Sequence, residues 1–122
     1  MTASFRKNIR QRLESLEREI LRSIEEQHRE YEELTMGDRT EEADEASIRN
    51  DERALSALLH HESRRLVRIR SALGRIETGH YGICGVCGEP IGDERLGAQP
   101  DTVFCLSCAR KRERMAAGAH LN

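Results

Sequence analysis

Residues 81–108 read YGICGVCGEPIGDERLGAQPDTVFCLSC, and four cysteines within this stretch decide how the C-terminal part of the chain folds. Two residues separate Cys84 from Cys87 and two separate Cys105 from Cys108, with seventeen residues between the pairs. This is the spacing of a four-cysteine zinc site. Two cysteines so placed wrap one tight turn around a cation, and two such turns complete a tetrahedron of thiolates. Gly85 and Gly88 stand where the turn needs a positive φ or a close backbone approach. Four protein ligands leave no position for water or substrate. Cys84, Cys87, Cys105 and Cys108 are therefore expected to hold one structural Zn2+ rather than a catalytic one. An iron–sulfur centre or a set of redox-active thiols stays open on the same residues. His80 is expected at the surface, since four thiolates suffice. Ile83, Ile91, Leu96, Val103 and Phe104 are the expected core of this module, too small to fold without metal. A helix expected from Ala109 onward places the second pair near a helix N-terminus, where thiolate charge is favoured.

Upstream of the cysteines the texture is helical. Apolar residues fall at Phe5, Ile9, Leu13, Leu16, Ile20, Ile24, Tyr31 and Leu34, in steps of three or four, with Gln27 filling the one gap. Gly37 supplies a stop, and Asp38 three residues before Glu41 resembles a capping box. A second series follows at Ile48, Leu55, Leu59, Leu66, Ile69, Leu73 and Ile76, with Glu52 and Glu62 in register. Its 4-3 alternation is that of a coiled-coil seam. Two such helices joined by a short polar turn are expected to fold back as an antiparallel hairpin, each arm roughly 45 Å long at 1.5 Å per residue. Two separate helices in a dimeric bundle are the alternative. The expected fold is mainly α. An antiparallel coiled-coil hairpin over 1–78, with an acidic tip near 38–46, precedes a small four-cysteine zinc-finger module with a C-terminal helix over 79–122.

Composition agrees with long helices rather than a large globular core. The chain has 122 residues, of which 34% are charged and only 3% aromatic. Its net charge of −2 does not by itself point to nucleic acid. No stretch approaches the roughly 18 apolar residues of a membrane span, and MTASFRKNIRQRLESLEREI has no signal-peptide core. A cytoplasmic protein without membrane contact is expected, and there thiols stay reduced, which speaks against disulfides.

Charge is distributed unevenly. DRTEEADE at 38–45 has five acidic residues against one basic. It reads either as a solvated helix start or as a carboxylate tip presented to a cation or a basic pocket. Arg64, Arg65, Arg68, Arg70 and Arg75 crowd the second half of helix two, and Arg110, Lys111, Arg112 and Arg114 follow the last cysteine. These runs either pair with glutamates of helix one or form a face for an acidic partner. With so few aromatics, recognition of single-stranded nucleic acid is disfavoured.

A hairpin with an acidic tip, followed by Tyr81-Gly82-x-Cys84-Gly85-x-Cys87-Gly88-x-Pro90-Ile91 and Pro100-x4-Cys105-x2-Cys108, resembles the DksA/TraR family of bacterial transcription regulators over roughly residues 30–115. In that family the hairpin enters the secondary channel of RNA polymerase while the zinc-bearing end holds the channel's rim. The family's tip carries Asp-x-Ala-Asp-x-Ala. Here it reads Glu41-Glu42-Ala43-Asp44-Glu45-Ala46, so Asp44 and Ala46 match and Glu41 replaces the first aspartate with a longer arm of the same charge. Longer members have an N-terminal extension, whereas helix one is expected to start almost at Met1. Those members also bind guanosine tetraphosphate through basic residues at three places. Arg68 fits the first, but Gln99 and Ala109 stand where the others are basic, which argues against alarmone binding.

The resemblance implies a non-enzymatic transcription regulator that binds RNA polymerase and inserts the tip of Glu41, Asp44 and Ala46 into the secondary channel to modulate initiation. Two rival readings are a DNA-binding zinc finger and a cofactor of polymerase-catalysed transcript cleavage. The acidic tip repels phosphate, so sequence-specific DNA binding is not expected. Asp44 and Glu45 are the candidate magnesium ligands for cleavage, yet adjacent side chains on a helix diverge and chelate poorly together.

Overall fold

The computed structural model describes residues 1–36 and 41–120. Four helices follow one another: α1 (Ala3–Met36), α2 (Glu41–Thr78), α3 (Asp93–Ala98) and α4 (Leu106–His120). The Thr2 hydroxyl caps α1, accepting the Phe5 N–H at 3.1 Å. Among the described residues no helix is long and apolar enough to cross a membrane. Strand pairing there amounts to one isolated antiparallel bridge, Ile83 with Pro90. The expected turn, with Gly37 and the Asp38 of the capping box, lies outside the described residues, as do the side chains of Glu41 and Asp44.

α1 and α2 form the antiparallel hairpin that their apolar periods specify, and the chain divides into two compact units. One unit comprises Leu16–Val67. Its seam buries Ile20, while Leu16, Ile24, Ile48, Leu55, Leu59 and Leu66 are half-buried and Leu34 is exposed. Polar groups punctuate this seam. Gln27 Nε2 donates to Ser23 Oγ at 3.1 Å, and the Tyr31 hydroxyl donates to Glu52 Oε1 at 3.1 Å across the two helices. Glu62, which interrupts the apolar series in register, is only 7% exposed, with Arg65 of the next turn 3.6 Å away.

The other unit comprises Met1–Ser15 and Arg68–Asn122. It holds most of the apolar core: Ile9 and Leu13 of α1, Ile69, Ala72 and Ile76 of α2, and Tyr81, Ile91 and Leu96 from the segment after the hairpin. The cysteine-bearing segment therefore shares its core with helix ends instead of building its own. The expected core list for that segment needs correction accordingly. Ile91 and Leu96 are buried and Val103 and Phe104 half-buried, but Ile83 is 48% exposed, and Tyr81 fills the interior instead. Ile83 sits at the isolated bridge, where two short extended stretches pair edge to edge and leave one face to water.

Leu13 is fully buried and Val67 is exposed. Leu13→Ala should cost about 2–5 kcal/mol through lost transfer energy and a residual cavity, whereas Val67→Ala should stay within about 0.5 kcal/mol. Urea unfolding followed by circular dichroism measures both. Equal effects would refute this placement of the core.

Candidate metal centre

Two backbone turns build the cysteine cluster. In the first, the Gly88 N–H donates to the Cys84 carbonyl at 3.0 Å and the Cys84 N–H donates to the Glu89 carbonyl at 2.8 Å, folding Cys84 and Cys87 onto one side of the loop. Gly88 lies at φ 75°, a left-handed conformation that a side chain disfavours. Gly85 does not share that conformation. Its role is close approach: its N–H donates to the Val103 carbonyl at 2.8 Å, stitching the first cysteine pair to the strand of chain that leads into the second.

The second turn is the start of α4. The helix begins at Leu106, three residues before the expected position, so Cys108 lies inside its first turn and the Cys105 carbonyl accepts the Ala109 N–H at 2.9 Å. Between the pairs lies α3, which the sequence reading did not anticipate. It has six residues, no side-chain cap at Gly92, and one buried residue, Leu96. The acidic pair Asp93 and Glu94 in its first turn is the signal that marks it, being the charge a helix N-terminus favours.

These turns bring the sulfur atoms of Cys84, Cys87, Cys105 and Cys108 within 4.8 Å of one another. Thiolates about 2.3 Å from a tetrahedral zinc stand about 3.8 Å apart, and Cys87 Sγ and Cys105 Sγ are 3.7 Å apart. Four soft donors at that separation fit one zinc ion, and no other side chain of the described residues joins the group. The electrostatics are those of thiols crowded together. Backbone N–H groups of Cys105 and Cys87 draw the Cys84 thiol down to about 6, since they stabilise its thiolate. Cys108 is pushed up to about 12 by its hydrogen bond with the Cys105 thiol and by burial. Four thiolates cannot accumulate side by side without a cation, so metal binding and deprotonation occur together. His80 is exposed and meets the Thr78 hydroxyl at 3.1 Å, away from the sulfurs' shell, as expected.

The loop between the pairs is strapped to the helices of its own unit. Arg12 of α1 donates to the Gly97 carbonyl. The Tyr81 hydroxyl, buried, donates to the Pro100 carbonyl at 2.7 Å, and burial pushes its pKa up to about 12. Arg68 of α2 pairs with Asp101 at 3.2 Å. Within the segment, Arg95 Nε donates to the Phe104 carbonyl at 2.9 Å, and the Arg112 guanidinium lies 4.3 Å over the Phe104 ring. Arg68, singled out as a possible alarmone or polymerase contact, is thus half of an ion pair. Gln99, two residues before its partner, is exposed, and Ala109 is half-buried. Of the expected tip, Ala46 is exposed at the start of α2.

Residues 79–114 match the family described as the prokaryotic dksA/traR C4-type zinc finger. A relative in Aquifex aeolicus is 46% identical over 63 residues, which cover 52% of this chain and 43% of that protein. The RNA polymerase-binding transcription factor DksA of Caulobacter vibrioides is 41% identical over 73 residues, covering 59% of this chain and 51% of that one. The chain spans about half the length of these curated relatives. The solved structure of transcription factor DksA2 from Pseudomonas aeruginosa superposes with a TM-score of 0.85 at 30% identity, covering 96% of this chain and 89% of that one.

The protein should carry about one zinc per chain. Stripping it with a chelator should abolish amide-exchange protection in 81–108 and lower it in 1–15 and 68–78, which share that core, while 16–67 keeps its protection. Elemental analysis with hydrogen exchange checks this. Iron in place of zinc, or uniform loss of protection along the chain, would contradict it.

Proposed function

The chain belongs to the DksA/TraR family, and from that premise we propose that it is a non-enzymatic transcription regulator that binds RNA polymerase directly in the bacterial cytoplasm. The observation that carries the reading is the correspondence of the backbone with transcription factor DksA2 along 96% of this chain, at 30% identity. Cys84, Cys87, Cys105 and Cys108 are the zinc ligands, and their role is structural. Residues 79–122 hold the polymerase from outside, and the hairpin of residues 1–78 enters its secondary channel. Glu41, Asp44 and Ala46 form the working tip, with Asp44 directed toward the polymerase's catalytic metal to alter the lifetime of open complexes.

If Asp44 acts at the tip, regulation and docking are separable. One carboxylate in a solvated ion pair contributes about 0–1 kcal/mol to a contact, so Asp44→Asn should change polymerase affinity by less than about fivefold and yet abolish the effect on transcription. Binding and in vitro transcription on one preparation provide the comparison. Parallel loss of both would reduce the tip to a docking surface.

Guanosine tetraphosphate is not needed in this mechanism. A polyphosphate site requires converging cations, whereas here Arg68 is paired with Asp101 and Gln99 and Ala109 are uncharged. The absence of two charged hydrogen bonds, about 1.5–3 kcal/mol each, weakens binding by at least about a hundredfold. Titrating the nucleotide into transcription reactions, with a polymerase lacking its other alarmone site, should therefore show little synergy. Gln99→Arg with Ala109→Lys should create it. Saturable synergy of the unaltered protein at micromolar nucleotide would count decisively against this view.

A further inference from the structure

The two cysteine pairs are held in different ways. The first turn is closed by its own backbone, with the Gly88 N–H on the Cys84 carbonyl and the Cys84 N–H on the Glu89 carbonyl, and Cys87 is exposed. The chain entering the second turn is fastened by a side chain from outside it. Arg95 of α3 reaches it with two nitrogens: Nε donates to the Phe104 carbonyl at 2.9 Å, and Nη2 donates to the Thr102 hydroxyl at 3.5 Å. That hydroxyl in turn donates to the Phe104 carbonyl at 3.3 Å and accepts the Phe104 N–H at 3.3 Å. A hydroxyl has one proton to give and two lone pairs to offer. Its whole capacity goes to Arg95 and Phe104.

The Phe104 carbonyl lies in the peptide plane that carries the Cys105 nitrogen. Because that plane is rigid, holding its oxygen fixes the direction from which the chain enters Cys105. On the other side the Cys105 carbonyl accepts the Ala109 N–H at 2.9 Å, in the first turn of α4. Cys105 Sγ is thus carried by a residue tied down on both sides, 3.7 Å from Cys87 Sγ. Arg95 has a firm base of its own. Its neighbour Leu96 is fully buried, and the Arg95 carbonyl accepts the Gln99 N–H at 2.8 Å. Six residues cannot sustain a helix by propensity alone. Burial of Leu96 holds α3 in place, and α3 presents Arg95 to the cysteine turn.

We propose that Arg95 is the positioning residue of the metal centre: through the Phe104 carbonyl and the Thr102 hydroxyl it holds Cys105 in ligand geometry and so sets how slowly zinc is released. A guanidinium suits the task because its planar fork reaches two acceptors at once, which a lysine ammonium in this place does not. The inference concerns retention of the metal and does not rest on the polymerase reading.

The test follows zinc release from the loaded, full-length chain into excess pyridylazoresorcinol, beside urea unfolding of the same preparations. Arg95→Met keeps the aliphatic stem and removes every donor, so it should release zinc at least about tenfold faster, the effect of losing a charge-assisted hydrogen bond. Arg95→Lys should fall between Arg95→Met and the unaltered chain. Thr102→Val should speed release by a smaller factor. Adding it to Arg95→Met should change little more, because both act on the Phe104 carbonyl. Leu13→Ala, which alters the core and not this latch, should lower the urea midpoint further than Arg95→Met yet speed release less. Cobalt-substituted Arg95→Met should show a shifted ligand-field absorption, since one thiolate sits differently, whereas Leu13→Ala should not. Release from Arg95→Met at the unaltered rate overturns the inference. Release that only tracks the urea midpoint, with Leu13→Ala on the same line, also overturns it, because Arg95 is then an ordinary stabilising contact. If Arg95→Met does not fold, unaltered release from both Arg95→Lys and Thr102→Val is the overturning result.

Discussion

Everything after the hairpin depends on four sulfur atoms being held within 4.8 Å of one another. Thiolates at that distance repel, and only a cation makes the arrangement favourable. Once it is held, the positions of both turns follow: the loop closed by the Cys84–Gly88 hydrogen bond and the first turn of α4. The Gly85–Val103 bond then fixes one turn against the other. The intervening chain runs out through α3 and back under constraint from both ends.

That constraint reaches the helices because the segment has no interior of its own. Tyr81, Ile91 and Leu96 enter the same core as Ile9, Leu13, Ile69, Ala72 and Ile76. Arg12, Tyr81 and Arg68 pin the loop of Gly97, Pro100 and Asp101 from three elements. A module this small rarely supplies enough apolar burial to be stable alone. The metal and the helix ends supply what the segment lacks, and the metal in turn fixes which residues the helix ends meet. The Leu16–Val67 unit is built differently. Its seam admits buried Glu62, the Gln27–Ser23 bond and the Tyr31–Glu52 bond, where the buried residues of the other unit are apolar side chains and cysteines. Polar groups in a seam specify register at a cost in stability, which suits a segment whose proposed work is to present a defined end.

The features legible in the sequence were those with a short period. Cysteine spacing and the 4-3 alternation are local patterns, and each maps onto one geometry: a thiolate turn and a helix seam. The exposure of Ile83 and the burial of Tyr81 were not legible, because hydrophobicity alone ranks them the other way. What decides them is the hydroxyl's reach to the Pro100 carbonyl and the edge position at the Ile83–Pro90 bridge, both tertiary facts. α3 was missed because six residues are too few to show a period. The start of α4 at Leu106 was missed because the helix begins inside the metal loop, where the cysteines masked the helical signal. The role of Arg68 changed too: its partner Asp101 is 33 residues away, a distance no local pattern spans.

The charge division between the units, basic around the cysteine cluster and acidic along Leu16–Val67, is the feature that links fold to proposed function. A partner surface of a single charge sign complements only one of them. The most direct measurement places a photo-crosslinking amino acid at position 46, beside the tip carboxylate, in the zinc-loaded chain bound to core RNA polymerase. The account predicts crosslinks to polymerase residues lining the secondary channel near its catalytic metal. Crosslinks confined to the enzyme's outer surface, or to DNA, would contradict it.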